Sequence, residues 1–348
     1  MHKGPPRQLR LCLVGFGNVG RAFAELIVQE HDRLVDEWGL DLLVTGIGTA
    51  RFGSVSSPTG VDLRDALERA NAASSHGPSI ESTAFVSVCP ADIVVETTPL
   101  EPFTGAVAIG ITRVALTAGR SVVSANKGPA AHDQRALKKL AQSHGLFYRY
   151  ESAVADGLPV FSLVERSLPG VSVTAMTGLL NSTSGIVLES LSQGIPMRRA
   201  IQHAQELGIL EGDPQFDLEG WDAAVKLCAL SATIWDHPIR IADVQRTIVS
   251  EGLAAAARNA HERGHRLVSM ATLRRELSDH SVQAAVNVVE IGPESVFFSL
   301  TGTSLGIQFE SKLLRPITIS CREPRLADTA YGLLADVLHI ALDGATQT

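Results

Sequence analysis

The sequence predicts an α/β protein in which a doubly wound parallel sheet is followed by a second, α+β domain. Residues 8–14 (QLRLCLV) form a near-continuous apolar run, which is typical of a parallel strand buried on both faces. This run leads directly into a glycine-rich turn, GFGNVG, and then into an amphipathic helix. Residues 241–320 hold several strand-like runs, which together with the neighbouring helices indicate a sheet with one covered face.

The composition argues against several classes of protein. The 348 residues are enough for two domains, and 45% hydrophobic with 19% charged residues is ordinary for a globular chain. A formal net charge of −7 argues against a nucleic-acid binder. The N-terminus lacks a signal-peptide pattern, and no run of about eighteen apolar residues predicts a membrane span. Four widely spaced cysteines suit a reducing compartment, so we expect a cytoplasmic protein without nucleic-acid or membrane partners.

The glycine-rich turn at residues 15–20 predicts a dinucleotide site of the Rossmann type. Gly15 allows the tight turn, Gly17 lets a pyrophosphate approach the backbone, and Gly20 permits close packing of helix against strand. The following helix start offers N–H groups and a partial positive charge to phosphates. The alternative is a tight strand–helix turn that binds nothing. The position of the motif between a strand and a helix at the start of a domain favours the dinucleotide site over this alternative. We expect cofactor contacts from Gly15, Gly17, Asn18, Val19 and Gly20.

The second predicted strand, residues 40–47, bears on the choice of dinucleotide. A site that prefers NAD usually carries Asp or Glu at the end of this strand, where the carboxylate holds the ribose 2′-hydroxyl. Here the strand ends in GTAR, which contains no acid. Arg51 could bind a 2′-phosphate or stack on adenine, so the pattern favours NADP and leaves NAD open. Arg51 as a solvated loop residue is the alternative.

Polar residues follow two further predicted strands. Thr97 and Thr98 come after the buried run 92–96, and Lys127 comes just after the run 121–124. In an open α/β sheet the carboxyl ends of the strands line the ligand crevice. We therefore expect Thr97, Thr98 and Lys127 to contact the cofactor. Lys127 at a solvated helix start is the alternative, and its place on the crevice favours a cofactor or substrate contact.

A strand at 146–151 is expected to close the first domain, and a Gly/Pro-rich turn at 151–159 follows it. The carbonyls of this turn would wrap a monovalent cation or the nicotinamide, or the turn is only an interdomain hinge. The segment that starts at Asn181 is expected to cap a helix running to about Gln193. A final helix with an apolar stripe is predicted at 327–342. The strand-like runs are RLVSMATL (266–273), VQAAVNVVEI (282–291), SVFFSL (295–300), LGIQFE (305–310) and PITIS (316–320).

The stretch 207–226, LGILEGDPQFDLEGWDAAVK, is rich in carboxylates. Glycine and proline interrupt its first half, and a strongly helical pattern follows Gly220. Asp222 and Lys226 are four residues apart, which places them on one face of that helix within mutual reach. An acidic loop that leads into such a helix could receive a polar, cationic substrate. Acids that merely complement the helix dipole are the alternative.

Taken together, these segments resemble the homoserine dehydrogenase family over almost the whole chain. The resemblance lies in GFGNVG, SANKGP, YESAVADGLP, GLLNSTSGI and, most specifically, LGILEGDPQFDLEGWDAAVK. The absence of residues beyond the last helix resembles the short form of the family, which lacks a C-terminal regulatory domain. The resemblance implies NAD(P)-dependent interconversion of L-homoserine and L-aspartate 4-semialdehyde in threonine and methionine biosynthesis.

The resemblance also implies roles for individual residues. Glu211 and Asp222 would engage the substrate ammonium, Asp217 would orient the reacting end, and Lys226 or Lys127 would donate the proton. The remaining implied site residues are Gly178 and Thr183 for substrate, and Glu151, Val154, Asp156 and Leu158, whose backbone carbonyls would hold a sodium ion.

The family also implies a homodimer, and the order of the predicted elements divides the chain into three parts. These are a nucleotide-binding domain at 1–150, a substrate-binding, catalytic and dimerisation domain at 151–320, and a returning helix at 321–348. Ile209, Phe216 and Ser182 depart from the common family pattern, which keeps open a paralogue that reduces another small oxo-acid. A nucleotide sensor without turnover is the third hypothesis, and the presence of both lysines counts against it.

Overall fold

The computed structural model describes residues 5–49, 53–72, 80–207, 209, 213–276, 278 and 281–345. The described residues form two compact units. Unit 1 comprises those of Met1–Pro159 and Arg325–Thr348, and unit 2 comprises Val160–Pro324. None of the described helices is long and apolar enough to cross a membrane.

The strands and helices follow one another in an alternating order through unit 1 and a mixed order through unit 2. In chain order the strands are β1 (Arg7–Val14), β2 (Leu40–Thr49), β3 (Gly53–Ser56), β4 (Ile93–Glu96), β5 (Ser121–Ser124), β6 (Tyr148–Arg149), β7 (Val173–Leu179), β8 (Gln245–Arg246), β9 (Arg266–Arg275), β10 (Val282–Ile291), β11 (Leu305–Ser311) and β12 (Ile317–Cys321). The α-helices are α1 (Asn18–Trp38), α2 (Leu63–Asn71), α3 (Ser82–Val88), α4 (Ala106–Thr117), α5 (Lys127–His132), α6 (Gln134–Ser143), α7 (Ser152–Ala155), α8 (Val160–Ser162), α9 (Ser182–Ser192), α10 (Met197–Glu206), α11 (Pro214–Leu218), α12 (Trp221–Trp235), α13 (Ala254–Glu262) and α14 (Leu326–Ala345).

The sheet of unit 1 has the order β3-β2-β1-β4-β5-β6, and every pairing except β2 with β3 is parallel. The strand bodies are buried because both faces carry helices; Leu11, Leu13 and Ile93 are at most 1% exposed. In the sheet, β1 has β2 as its neighbour on one side and β4 as its neighbour on the other. The order therefore reverses between β1 and β4, and a ligand crevice forms at such a reversal. The predicted doubly wound sheet is confirmed.

The last helix, α14, belongs to unit 1 and fixes the segment that follows β6. Asp336, which is 2% exposed, accepts a hydrogen bond from the backbone N–H of Glu151 at 2.8 Å. Ser152 Oγ donates to the Thr329 carbonyl at 2.8 Å. The Thr329 hydroxyl in turn donates to Asp156 Oδ1 at 3.0 Å. Residues 173 to 185 positions away in the chain thus hold this turn in place.

The sheet of unit 2 has the order β12-β11-β7-β9-β10-β8, with antiparallel pairs except β10 with β8. Leu267 and Val288 lie on one face and pack against a cluster that includes Val187 and Leu191 of α9. The opposite face of β9 carries Val268, which belongs to a second cluster. Apolar side chains therefore leave the sheet in both directions, and part of the second face is covered as well, where a single covered face was expected.

Two strand predictions also differ from the structure. The run 295–300 forms successive turns instead of a strand; its Phe297 and Leu300 cover part of the second sheet face, against Leu179, Val268 and Met270. An apolar run can be buried by packing on a sheet without pairing with it, so its composition was misleading. The strand expected at 146–151 is limited to Tyr148–Arg149, because the chain turns into α7 at Ser152.

Candidate active site

The glycine turn after β1 is shaped for a phosphate group. Gly15 has φ +93°, and a Cβ there would lie 2.5 Å from the Thr97 carbonyl oxygen. A Cβ at Gly20 would lie 2.5 Å from the Gly15 carbonyl oxygen. By contrast, a Cβ at Gly17 would meet no heavy atom of the described structure within 4 Å, and no side chain caps the start of α1. Space and backbone N–H groups therefore meet where a pyrophosphate would bind.

The side chains around this turn mainly support it. The Thr97 N–H donates to the Val14 carbonyl at 2.8 Å, and its hydroxyl donates to the Gly15 carbonyl at 2.9 Å. Asn18 Oδ1 accepts a hydrogen bond from Arg21 Nη2 at 2.6 Å. Val19 packs against the hydrophobic core of unit 1. Arg51, expected near the adenosine ribose, lies outside the described residues.

The segment that carries Lys127 is joined to the segment after β4. Asn126 caps α5, since its Oδ1 accepts from the Gly128 N–H at 2.9 Å. The Asn126 side-chain amide donates to the Thr98 carbonyl at 3.1 Å. Lys127 is the first residue of α5 and is half-buried. The structure thus brings Thr98 and the Lys127 segment together at the carboxyl ends of neighbouring strands.

The turn expected to hold a sodium ion contains α7, a single helical turn. Asp156 follows it with φ +51°, a backbone conformation that is uncommon for a residue other than glycine. The hydrogen bonds that close the adjoining turns use the carbonyls of Tyr150 and Ala155. The expected ligands are the neighbouring carbonyls of Glu151, Val154, Asp156 and Leu158. Carbonyl oxygens are a suitable donor type for a hard monovalent cation, so this segment fits the expected ion chemically.

In unit 2, one amide joins two carboxylates. Asn181 Nδ2 donates to Asp217 Oδ1 at 2.7 Å and to Asp222 Oδ2 at 3.0 Å. Lys226 Nζ lies 3.0 Å from Asp222 Oδ2 and donates to the Leu180 carbonyl at 2.5 Å. The predicted pairing of Asp222 and Lys226 on one helix face is confirmed. We call Asn181, Asp217, Asp222 and Lys226 the carboxylate–lysine cluster.

The carboxylate–lysine cluster is poorly hydrated and carries more negative than positive charge. The side chains of Asp222 and Lys226 are 11% and 13% exposed. Burial raises the pKa of Asp217 above its ordinary value, and the nearby charge of Asp222 raises it further. Two carboxylates face a single lysine, so a ligand ammonium would relieve their repulsion. The cluster can therefore bind a cationic group beside a proton donor.

The other predicted substrate residues have structural contacts that explain them. Thr183 is 2% exposed, and its hydroxyl donates to Asp217 Oδ2 at 3.1 Å. This hydrogen bond helps to fix the orientation of the Asp217 carboxylate. A Cβ at Gly178 would lie 2.6 Å from the Gly306 carbonyl oxygen, so glycine is required for β7 to pair closely with β11. Glu211 lies outside the described residues.

A stacked arginine holds the corner between α11 and α12. The guanidinium carbon of Arg246 lies 3.2 Å from the centroid of the Trp221 ring. Arg246 Nη1 donates to the Glu219 carbonyl at 3.1 Å, and Trp221 Nε1 donates to Glu219 Oε2 at 2.9 Å. Asp217 and Asp222 lie on either side of this corner, so the stack contributes to their fixed separation.

The comparison with protein families agrees with this geometry. The family model for homoserine dehydrogenase matches residues 159–338, which is more than half of the chain.

The chain belongs to the homoserine dehydrogenase family.

Individual relatives extend the match to almost the whole chain. The NAD(+)-dependent homoserine dehydrogenase of Pseudomonas canavaninivorans is 32% identical over 345 residues, covering 96% of each protein. The crystal structure of the Thermoplasma acidophilum homoserine dehydrogenase has a TM-score of 0.83 at 23% identity and covers 96% of this chain and 99% of that one. A hyperthermophilic archaeal homoserine dehydrogenase in complex with NADPH has a TM-score of 0.81 at 24% identity, covering 97% of this chain and 98% of that one. The two structures show that the fold is shared.

The sequence does not predict the long-range hydrogen bonds of two residues, Asn181 and Glu96. Asn181 was expected only as a helix cap, a role that it has through the Ser184 N–H at 2.8 Å. Its second role, joining Asp217 and Asp222, depends on partners 36 and 41 residues away. Glu96 was expected as the end of a strand and is a buried hydrogen-bond acceptor. A polar residue within an apolar strand was the available signal.

Replacing Asp217 with asparagine should increase stability and decrease activity. Because its pKa is higher in the folded state, Asp217 binds its proton more tightly in the folded protein than in the unfolded chain. Its contribution to the free energy of unfolding is fully present below the ordinary pKa of 3.8 and is lost as the pH rises through the pKa of the folded state. We therefore expect Asp217→Asn to become progressively more stable than wild type as the pH is raised from about 4 to 7 in urea unfolding. Loss of the charge should lower kcat/KM roughly 10- to 100-fold.

The matched control is Asp213→Asn on the same helix. Asp213 is exposed and caps α11 by accepting from the Gln215 N–H at 3.0 Å. Its replacement should leave kcat/KM within about twofold and should not produce a stability gain that grows with pH. A wild-type pH dependence in Asp217→Asn would contradict the assignment of the raised pKa to this carboxyl.

Proposed function

We propose that the protein is a homoserine dehydrogenase that interconverts L-homoserine and L-aspartate 4-semialdehyde, in threonine and methionine biosynthesis. Family membership makes it an NAD(P)-dependent oxidoreductase that acts on a CH–OH group. The observation that supports an amino-acid substrate is the carboxylate–lysine cluster. An amino acid presents an ammonium group together with the reacting oxygen, and the cluster offers carboxylates beside a lysine. The similarity to the NAD(+)-dependent homoserine dehydrogenase of Pseudomonas canavaninivorans supports the same reaction.

The residues divide the chemistry between them. Asp222, together with Glu211, would bind the substrate ammonium, and Asp217 would orient the end that reacts. The bound nicotinamide supplies or accepts the hydride. Lys226 would donate a proton to the carbonyl oxygen during reduction, and its ammonium would stabilise the negative charge that develops there. In the reverse direction, neutral Lys226 would accept the hydroxyl proton of homoserine, with Lys127 as the second candidate.

The cofactor site accepts both phosphorylated and unphosphorylated dinucleotides in this proposal. The described end of β2, from Gly46 to Thr49, offers no carboxylate to repel a 2′-phosphate, which favours NADP. The relative from Pseudomonas canavaninivorans depends on NAD(+), which favours NAD. Gly15, Gly17 and Gly20 would hold the pyrophosphate in either case.

A sodium ion would be held by the backbone carbonyls of Glu151, Val154, Asp156 and Leu158. Support comes from the positive φ of Asp156 and from the contacts with α14 that fix the turn. Turnover should then be higher in NaCl than in an equal concentration of choline chloride. Equal rates in the two salts would remove the ion from the proposal.

The working form is proposed to be a homodimer that pairs through the sheet of unit 2. Part of the second sheet face lines a shallow depression of small and polar side chains, among them Ala175, Thr177, Thr272, Gln283 and Ala285. Light scattering of the purified protein should give twice the chain mass of 37.0 kDa. A monomer at assay concentration would contradict this arrangement.

Lys226→Ala tests the reaction and the role of the lysine together. Wild-type protein should oxidise L-homoserine with NAD+ or NADP+, and the ratio of the two rates gives the cofactor preference. Loss of the general acid–base group should lower kcat by about 100- to 10,000-fold. The exposed Lys139→Ala is the control and should retain wild-type rates. Absence of wild-type turnover would overturn the proposed reaction, and full activity of Lys226→Ala would overturn only the catalytic role of the lysine.

A further inference from the structure

Glu96 lies at the carboxyl end of β4 and is 0% exposed. Its Oε1 accepts hydrogen bonds from the Thr98 backbone N–H, at 2.8 Å, and from the Thr98 hydroxyl. Its Oε2 accepts from the Ser124 hydroxyl at 2.6 Å. Both oxygens are therefore used: Oε1 reaches the loop after β4, and Oε2 reaches the carboxyl end of β5.

These bonds are part of a closed ring. The Ser124 hydroxyl oxygen accepts from the Asn126 backbone N–H at 3.0 Å, and the Asn126 side-chain amide donates to the Thr98 carbonyl at 3.1 Å. The ring runs from Glu96 through Thr98 and Asn126 to Ser124 and returns to Glu96. Its members join the loop after β4 to the loop after β5, where Lys127 begins α5.

Packing of the sheet does not require a carboxylate at this position. The three preceding residues of β4 are apolar and at most 1% exposed, and an apolar side chain could complete the strand. Burial penalises the charged form and raises the pKa of Glu96, while the hydrogen bonds from Ser124 and Thr98 act in the opposite direction. Burying this acid costs desolvation free energy, and the hydrogen bonds that fix the neighbouring loops explain why an acid is present here.

We propose that Glu96 is a positioning residue, which holds Thr98 and the Asn126–Lys127 segment in the geometry that binds the dinucleotide and presents Lys127. The effect on cofactor affinity rests on the ring together with the predicted dinucleotide contacts of Thr98 and Lys127. The effect on turnover rests on the proposed function, because it requires that the bound dinucleotide react with homoserine. Glu96 itself need not touch cofactor or substrate; it acts through its partners.

The experiment compares Glu96→Gln and Ser124→Ala with wild type. Gln replaces one acceptor oxygen with a donor, and Ala removes the link between Glu96 and Asn126. Dissociation constants for NADH and NADPH are measured by calorimetry. The values of kcat and KM are measured with homoserine as the substrate, and thermal unfolding is followed by circular dichroism. In both variants we expect the dissociation constants to rise about tenfold, since a charge-assisted bond is lost. We expect kcat to fall by about tenfold or more, and KM for homoserine to stay within about twofold.

Asp92→Asn is the matched control at the opposite end of the same strand. Asp92 accepts from the Arg10 backbone N–H at 2.8 Å and pairs with its guanidinium at 2.7 Å, so its loss weakens the sheet away from the crevice. The control should change the melting temperature and leave cofactor affinity at the wild-type value. Ser124→Ala removes a single hydroxyl and keeps the readout available if Glu96→Gln does not fold.

Wild-type dissociation constants in Ser124→Ala and in any folded Glu96→Gln would overturn the proposal. So would losses of affinity and rate that merely follow the melting temperature, as in Asp92→Asn, because they would indicate a structural role. If wild type binds NADPH but does not oxidise homoserine, the proposed function fails. The dissociation constants of the variants then still decide the role of Glu96.

Discussion

Holding Asp217 and Asp222 close together, away from bulk water, is the constraint on which the candidate site depends. Two carboxylates in such surroundings repel each other, and each is costly to desolvate. The structure meets this constraint with one amide that donates to both, from Asn181, and with the ammonium of Lys226. The remaining negative charge is suited to an amino-acid ammonium, and in the proposed function the repulsion between the two carboxylates is what favours a substrate with that group.

Unit 1 solves a similar problem in a different way. Its strands β4 and β5 have apolar bodies and end in the polar residues Glu96 and Ser124, so the sheet core supplies stability while these strand ends face the proposed site. Both are 0% exposed, and the hydrogen bonds of Glu96 reach Thr98 in the loop after β4 and Ser124 at the end of β5. In both units, therefore, a buried polar group joins neighbouring segments of the candidate site by hydrogen bonds.

Local patterns were sufficient for the features that depend on neighbouring residues. The apolar run before Gly15 predicted β1, and the four-residue spacing of Asp222 and Lys226 predicted their ion pair. Partners distant in the chain were not predictable in this way. The bonds of Asn181 cross 36 and 41 residues, and the bond between Glu96 and Ser124 crosses 28. The run 295–300 was misassigned for the same reason, since its burial comes from a sheet face that its own sequence does not specify.

The most direct test of this account compares L-homoserine with 4-hydroxybutanoate, which has the same reacting alcohol and carboxylate but no ammonium group. The ratio of the two kcat/KM values in the wild-type protein measures what the carboxylates contribute to recognition. A site built around a charged partner should prefer L-homoserine by a factor on the order of 10,000, because the analogue brings no ammonium to the excess negative charge of the carboxylate–lysine cluster. A ratio below about ten would contradict the account, since the carboxylate–lysine cluster would then not bind the substrate ammonium.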